Sequence, residues 1–188
     1  MPVISTDQEV SAARVRLLPQ RYKHFRNCIW KNYTEVGSKA LICGDINLAK
    51  RMFSEALLEA RKEDKIDYRL AVSLAHVGHT QLSLREFPQA ANSYLRALAV
   101  TRNVKDTPKE FEIMLLETLA DIRLEQGQLR LAKRHLARAL NLRELHTPQE
   151  KNLRAKILLK MATIFSEFGD TDQALALYEK SKALRSQT

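Results

Sequence analysis

Histidines are the side chains in this chain best suited to metal binding or acid–base chemistry. Of the five, only His76 and His79, in the stretch "HVGH", lie close together. A zinc site of this kind needs an intervening Glu and a third ligand, and neither accompanies the pair. The sequence also has no Gly-rich phosphate loop, no nucleophile elbow and no Cys/His pairing at a recognised spacing. We therefore predict no enzyme, no metal site and no bound cofactor.

A row of carboxylates offers a different chemistry. Glu117, Asp121 and Glu125, here called the acidic row, are spaced i, i+4, i+8 and so fall on one face of a helix. The chain has a formal net charge of +9, so this local row would attract a Lys- or Arg-bearing segment of a partner protein. The alternative is structural: Lys156 and Lys160 would neutralise the row without functional consequence.

Positive charge collects in the stretch "LRLAKRHLARALNLR". We name its four residues the basic face: Arg130, Lys133, Arg134 and Arg138. Such a cluster would contact an acidic protein, nucleic acid or an anionic membrane surface, or would simply be a solvated outer face. No recognised nucleic-acid motif accompanies it, so we do not expect nucleic acid as the partner.

The composition indicates that helices position these groups. The chain has 188 residues, 45% apolar and 28% charged, with only 5 Gly and 5 Pro, and Ala, Leu, Arg, Lys, Glu and Gln dominate the rest. No stretch reads as a membrane span or a secretory signal. Cys28 and Cys43 form no disulfide or metal framework, and we expect both to be small core residues. We predict a cytoplasmic, all-helical protein.

One helical pattern recurs four times. The copies begin with Ala49-x3-Phe53, Ala90-x3-Tyr94, Ala132-x3-Leu136 and Ala174-x3-Tyr178, so their starts are 41, 42 and 42 residues apart. Upstream of each copy, a second helical pattern carries one small residue, namely Gly37, Gly78, Ala120 or Ala162. We expect these small residues to face the large ones where the two helices of a repeat approach closely. Each repeat is thus predicted to be a pair of antiparallel helices.

The turns between helices carry helix stop and start signals. "DTPKE" and "HTPQE" favour Thr107 and Thr147 as N-caps, each with Pro at the first helical position and Glu at the third. These two stretches are therefore predicted to be capping boxes.

The repeat resembles the tetratricopeptide repeat, whose pattern runs W-x2-L-G-x2-Y…A-x3-F, and its 42-residue period is similar to that of kinesin light chains and bacterial relatives. HEAT or armadillo repeats would fit the period but not the Ala-x3-aromatic signature. The resemblance implies an all-α, right-handed solenoid of four antiparallel helix pairs. We expect an arm or short helix over residues 1–19, a first helix starting near Pro19, and one domain over 20–188 with repeats at about 22–62, 67–104, 108–144 and 148–186.

By the same resemblance, the first helix of each repeat lines a groove for a partner segment. The expected groove residues are Thr34, Ser38, Leu41, His76, His79, Leu82, Glu117, Asp121, Glu125, Lys156, Lys160 and Thr163. The family's carboxylate clamp is not matched, because Thr34, Ser38, Met114 and Thr118 stand where that groove has Lys, Asn or Arg. We predict a non-catalytic adaptor or scaffold that binds another protein, with basic residues in the bound segment.

Two other functions stay open at this point. The last helix, "DQALALYEKSKALR", is apolar on more than one side, which favours self-assembly of the chain through its C-terminal helix into a homo-oligomer. A regulator that binds nucleic acid through its basic surface is the other alternative.

Overall fold

The computed structural model of the chain describes residues 26–62, 66–105 and 107–186. These residues form eight α-helices and no strand. The helices are α1 (26–42), α2 (Ile46–Arg61), α3 (Tyr68–Ser83), α4 (Phe87–Asn103), α5 (Lys109–Glu125), α6 (Leu129–His146), α7 (Lys151–Glu167) and α8 (Thr171–Arg185). The predicted all-α fold of helix pairs is confirmed. No helix in this part of the chain is both long and apolar enough to cross a membrane.

The chain divides after residue 65 into two compact units, one with α1 and α2 and the other with α3 to α8. In the second unit α3 packs on α4, α5 on α6 and α7 on α8, and the pairs join through α4 with α5 and α6 with α7. The predicted arm and the helix start near Pro19 lie outside the described residues. The predicted repeat limits and domain extent stay predictions.

Within two of the pairs, a small residue faces a large one as expected. A Cβ added to Gly37 would stand 2.7 Å from the ring of Phe53, and one added to Gly78 would stand 2.8 Å from the ring of Tyr94. Both rings are buried. Tyr178, at the corresponding position of the last pair, is instead half exposed, because α8 packs mainly on α7 alone in this part of the chain.

The turns inside the pairs share one backbone shape. Gly44, Gly127 and Gly169 each take a positive φ directly after a helix, and Arg85 takes the same conformation in the second pair, at φ 58°. A left-handed residue at this point lets the chain reverse, which Gly does without strain. Asp45 then accepts a hydrogen bond from the backbone N–H of Leu48 at 2.9 Å and so caps the start of α2.

The two predicted capping boxes are wrong. α5 and α7 begin later, at Lys109 and Lys151, and neither has a side-chain cap. The Thr107 hydroxyl donates to the Val104 carbonyl at 3.0 Å, and the Thr147 hydroxyl donates to the Arg143 carbonyl at 3.4 Å. Both hydroxyls therefore bond back to the preceding segment, which competes with the N-cap role.

The expected burial of the cysteines is also wrong. Cys28 lies on the solvent side of α1 and Cys43 in the turn after it, and both side chains are exposed. Ala40 and Ala49, by contrast, are buried in that pair of helices.

Candidate functional site

A cavity of 180 Å³ lies on the side of the second unit formed by the first helices of its repeats. Its wall comes from three helices: Val72, Ala75, His76 and His79 of α3, Tyr94 of α4, and Phe111 and Met114 of α5. We call it the histidine cavity. It brings the expected groove residues His76 and His79 together, and Phe111 and Tyr94 join them without having been predicted for the groove.

Helical spacing and close packing create this cavity. Val72, His76 and His79 follow one another at four and three residues, which puts them on one face of α3. Tyr94 reaches this side because Gly78 leaves room for its ring. Phe111 is held by Tyr68, whose ring meets it edge to face with centroids 5.1 Å apart.

Burial keeps two titratable side chains of the histidine cavity, His76 and Tyr94, uncharged at neutral pH. The pKa of His76 is lowered to about 4, mainly because burial desolvates the ring and further because of the nearby charge of His79. Burial also raises the pKa of Tyr94 to about 12, so this phenol stays protonated. Met114 is 38% exposed at the edge of the cavity. The cavity therefore suits an apolar side chain better than a charged one.

The acidic row follows the cavity along α5, and the structure divides it into three different environments. Glu117 accepts from Arg143 Nε at 2.7 Å, and Asp121 forms an ion pair with Lys160 of α7. Glu125 is exposed and has no ion pair within the described residues. Lys160 thus neutralises one carboxylate, as the structural alternative supposed, while Lys156 remains exposed to solvent.

Arg143 is a residue of this site that sequence reasoning missed. Its side chain is only 10% exposed, and its guanidinium also bonds Glu150, with Nη1 to Oε2 at 2.7 Å. The signal was in the sequence, because Arg143 continues the buried stripe of α6 formed by Ala132, Leu136 and Ala139. A charged residue on a buried stripe implies a buried partner.

The hydroxyl-bearing groove residues are occupied within their own helices. Thr34 donates to the Trp30 carbonyl at 2.6 Å, Ser38 to the Thr34 carbonyl at 2.8 Å, and Thr163 to the Leu159 carbonyl at 3.2 Å. Their oxygens can still accept a hydrogen bond, but their protons are used. Leu41 and Leu82 are half-buried. Thr34, Ser38 and Leu41 belong to the first unit.

The residues of the basic face lie in two different environments. Lys133 lies over two rings, with its Nζ 4.8 Å from the centroid of Phe165 and 5.6 Å from that of Phe168. Arg130 lines a shallow depression beside Phe168.

Arg134 and Arg138 instead line a cleft of 330 Å³ between α4 and α6. We call it the arginine cleft. Its lining is Leu95, Leu98, Ala99, Arg102, Leu116, Arg134, His135 and Arg138.

The fold and these surfaces define a helical-repeat protein of stacked antiparallel helix pairs. Residues 110–187 match the tetratricopeptide repeat family. The predicted resemblance to the tetratricopeptide repeat is confirmed over these residues.

Solved structures similar to the chain extend that fold beyond the matched residues. BtubC (BKLC) from P. vanneervenii is 18% identical with a TM-score of 0.75, covering 100% of this chain and 76% of that one. A putative kinesin light chain from Podosopora anserina with nearly identical TPR-like repeats is 15% identical with a TM-score of 0.70. The match covers 84% of this chain and 75% of that one. The MamA protein is 18% identical with a TM-score of 0.63, and the match covers 84% of this chain and 74% of that one. No curated protein matches the sequence.

Proposed function

We propose that this chain is a non-catalytic adaptor or scaffold that binds a segment of another protein along α3, α5 and α7. The observation that carries the proposal is the histidine cavity, a mostly apolar hollow between α3 and α5. Tetratricopeptide repeats typically mediate protein–protein interactions, which supports a binding role rather than a catalytic one. We also propose a cytoplasmic location, where exposed thiols such as those of Cys28 and Cys43 stay reduced.

The chemistry of the bound segment follows from the neighbours of the cavity. Met114 marks the cavity edge, and Asp121 lies seven residues further along α5, which is about 10 Å. An extended peptide covers that distance in about three residues. The segment would therefore place an apolar side chain in the cavity and a Lys or Arg about three positions away, close to Asp121 and Glu125.

A displayed library of random peptides, selected on the immobilised protein, tests this proposal. We expect enrichment of sequences with an apolar residue followed or preceded, about three positions away, by Lys or Arg. Enrichment of sequences without that spacing, or none at all, would contradict the groove proposal.

The variants must leave the fold intact, so Glu117 is not changed. Its bond to the nearly buried Arg143 is part of the packing of α5 on α6. The double variant Asp121→Asn, Glu125→Gln removes the two exposed carboxylates, and Asp172→Asn, Glu179→Gln on α8 is the matched control. We expect selected peptides to bind the first variant several-fold more weakly and the control as tightly as the wild type.

The cavity itself is tested by Met114→Gln, which puts a polar group of similar size at its edge. Leu145→Gln is the control, because Leu145 is 70% exposed on α6. If both variants bind the selected peptides equally well, the apolar side chain of the peptide does not bind in the histidine cavity.

Self-association through α8 is the second candidate function. Leu175 is 62% exposed and Tyr178 is 49% exposed, and their three-residue spacing puts them on one face of the helix. Light scattering over a concentration series should show a mass that rises in the wild type and stays monomeric in Leu175→Glu, Tyr178→Glu. A monomer at high concentration in the wild type would remove this candidate.

A further inference from the structure

From the lining of the arginine cleft, we infer a second binding site, for a partner segment that combines carboxylates with an aliphatic side chain. The cleft lies on the side of the second helices, between α4 and α6, whereas the histidine cavity lies between α3 and α5. The two sites share no lining residue, so this inference does not depend on the proposed groove function.

The charge in the cleft is positive and only partly compensated. Arg138 bonds the buried Glu112, with Nη2 to Oε1 at 2.6 Å, and Lys109 approaches the same carboxylate at 3.4 Å. Arg102 and Arg134 are exposed and form no ion pair within the described residues. Two guanidinium groups therefore face the cleft with their charge available. A guanidinium has a planar, forked geometry that matches a carboxylate.

The pKa of His135 reflects the same excess of positive charge. Its pKa is lowered by burial and, beyond that, by the guanidinium groups of Arg123, Arg134, Arg138 and Arg102. The neighbouring positive charges therefore disfavour the protonated form of this ring.

The floor of the cleft distinguishes a peptide from a bare anion. Leu98 and Leu116 line it but are themselves buried, so the apolar surface open to a ligand is that of Ala99, which is exposed, and of Leu95, which is 39% exposed at the edge. A phosphate or a nucleic-acid backbone would use the guanidinium groups but leave Leu95 and Ala99 uncovered. A segment with a Leu- or Ile-like side chain next to Asp or Glu uses both. Charge complementarity and the apolar floor together therefore favour an acidic peptide segment.

Fluorescence anisotropy with a labelled peptide of Glu, Leu, Ser and Gly tests the inference. Two comparison peptides carry Gln for every Glu or Ser for every Leu, and single-stranded and duplex DNA of similar length serve as competing anions. We expect the Glu/Leu peptide to bind more tightly than both comparison peptides at physiological salt. Binding should also raise the pKa of His135, measured from its ring protons by NMR, because a carboxylate offsets the neighbouring charges.

Matched variants locate the binding. Arg102→Gln, Arg134→Gln removes two charges from the cleft, and Arg51→Gln, Arg61→Gln removes two exposed charges from α2. We expect the first variant to bind about tenfold more weakly and the second to change little. The variant Arg102→Lys, Arg134→Lys keeps the positive charge but not the forked guanidinium geometry, so its affinity for the peptide should be intermediate. All four arginines are exposed, and circular dichroism checks that each of the three variants stays folded.

The aliphatic part is tested by a double-mutant cycle. Leu95→Ser should weaken binding of the Glu/Leu peptide but leave binding of the Ser-substituted peptide unchanged. The inference fails if the Gln-substituted peptide binds equally well, if the α2 variant loses as much affinity as the cleft variant, or if DNA binds in the cleft more tightly than the peptide.

Discussion

Gly78 is the residue whose replacement tests the packing of the repeat most directly. A Cβ at this position would lie 2.8 Å from Cδ2 and Cε2 of Tyr94 and 3.3 Å from Cβ of Ser93. Real carbon atoms do not approach so closely, so the buried Tyr94 ring must shift. Gly78→Ala would therefore force the ring out of its position.

Two opposing contributions set the size of the effect. Ala in place of Gly favours a helix by about 1 kcal/mol, whereas an extra carbon in a filled core costs about 1–3 kcal/mol. With two ring atoms closer than 3 Å, we take the upper part of that range. We expect Gly78→Ala to lower the free energy of unfolding by about 1–2 kcal/mol and the melting temperature by about 3–6 °C.

The matched double variant copies a solution already present in the chain. In the third pair of helices, Ala120 and Leu136 occupy the positions of Gly78 and Tyr94, and both are buried. Gly78→Ala, Tyr94→Leu should therefore be more stable than the sum of the two single changes predicts, with a coupling of about 1 kcal/mol.

Urea denaturation followed by circular dichroism, with all four proteins of the cycle, measures this coupling. If Gly78→Ala stabilises the protein, or if the two changes are simply additive, the close approach is not what selects Gly at this position. Because Tyr94 also lines the histidine cavity, the single variant should in addition weaken binding of peptides selected on that cavity.

Three further predictions concern stability. Arg143→Met leaves two carboxylates without their shared guanidinium and should lower the free energy of unfolding by about 2–3 kcal/mol. Arg143→Lys should lower it less. If the two variants lose the same stability, Arg143 does not act by bridging the two carboxylates. Arg85→Gly should be about 1 kcal/mol more stable than Arg85→Ala in urea denaturation, because only Gly takes a φ of 58° without strain. His76 has a folded pKa of about 4 against 6.5, so the unfolded chain binds more protons between these values and stability falls as pH falls. The loss from pH 7 to pH 5 should be about 2 kcal/mol, and His76→Gln should reduce that slope.

The helix pairs and their contact residues were predictable because they depend on local size and spacing. Helix periodicity fixes which residues face a neighbour, and only a small residue fits opposite the rings of Phe53 and Tyr94. The capping boxes were mispredicted, although Thr107 and Thr147 have the right neighbours in sequence. The sequence pattern does not reveal the competing hydrogen bonds, which each hydroxyl donates to a carbonyl of the preceding segment.

The candidate sites were predictable only in part. The acidic row and the histidines could be found by spacing, but the two cavities could not, because each takes its lining from three helices. Arg102 joins Arg134 only when α4 and α6 pack on α5. A pair of residues so distant in sequence leaves no local pattern.

The ion pairs between α5 and α6 decide which charges remain for function. Glu112 binds Arg138 and Glu117 binds Arg143, so two acidic residues of α5 and two basic residues of α6 are already paired within the fold. The exposed charge left on α5 includes that of Glu125, and the exposed charge left on α6 includes that of Arg134. At the two proposed sites, a partner segment with basic residues would therefore be favoured on the first side and repelled on the second, and an acidic segment the reverse. The net charge of the sequence hides this separation, because it adds the paired and unpaired residues together.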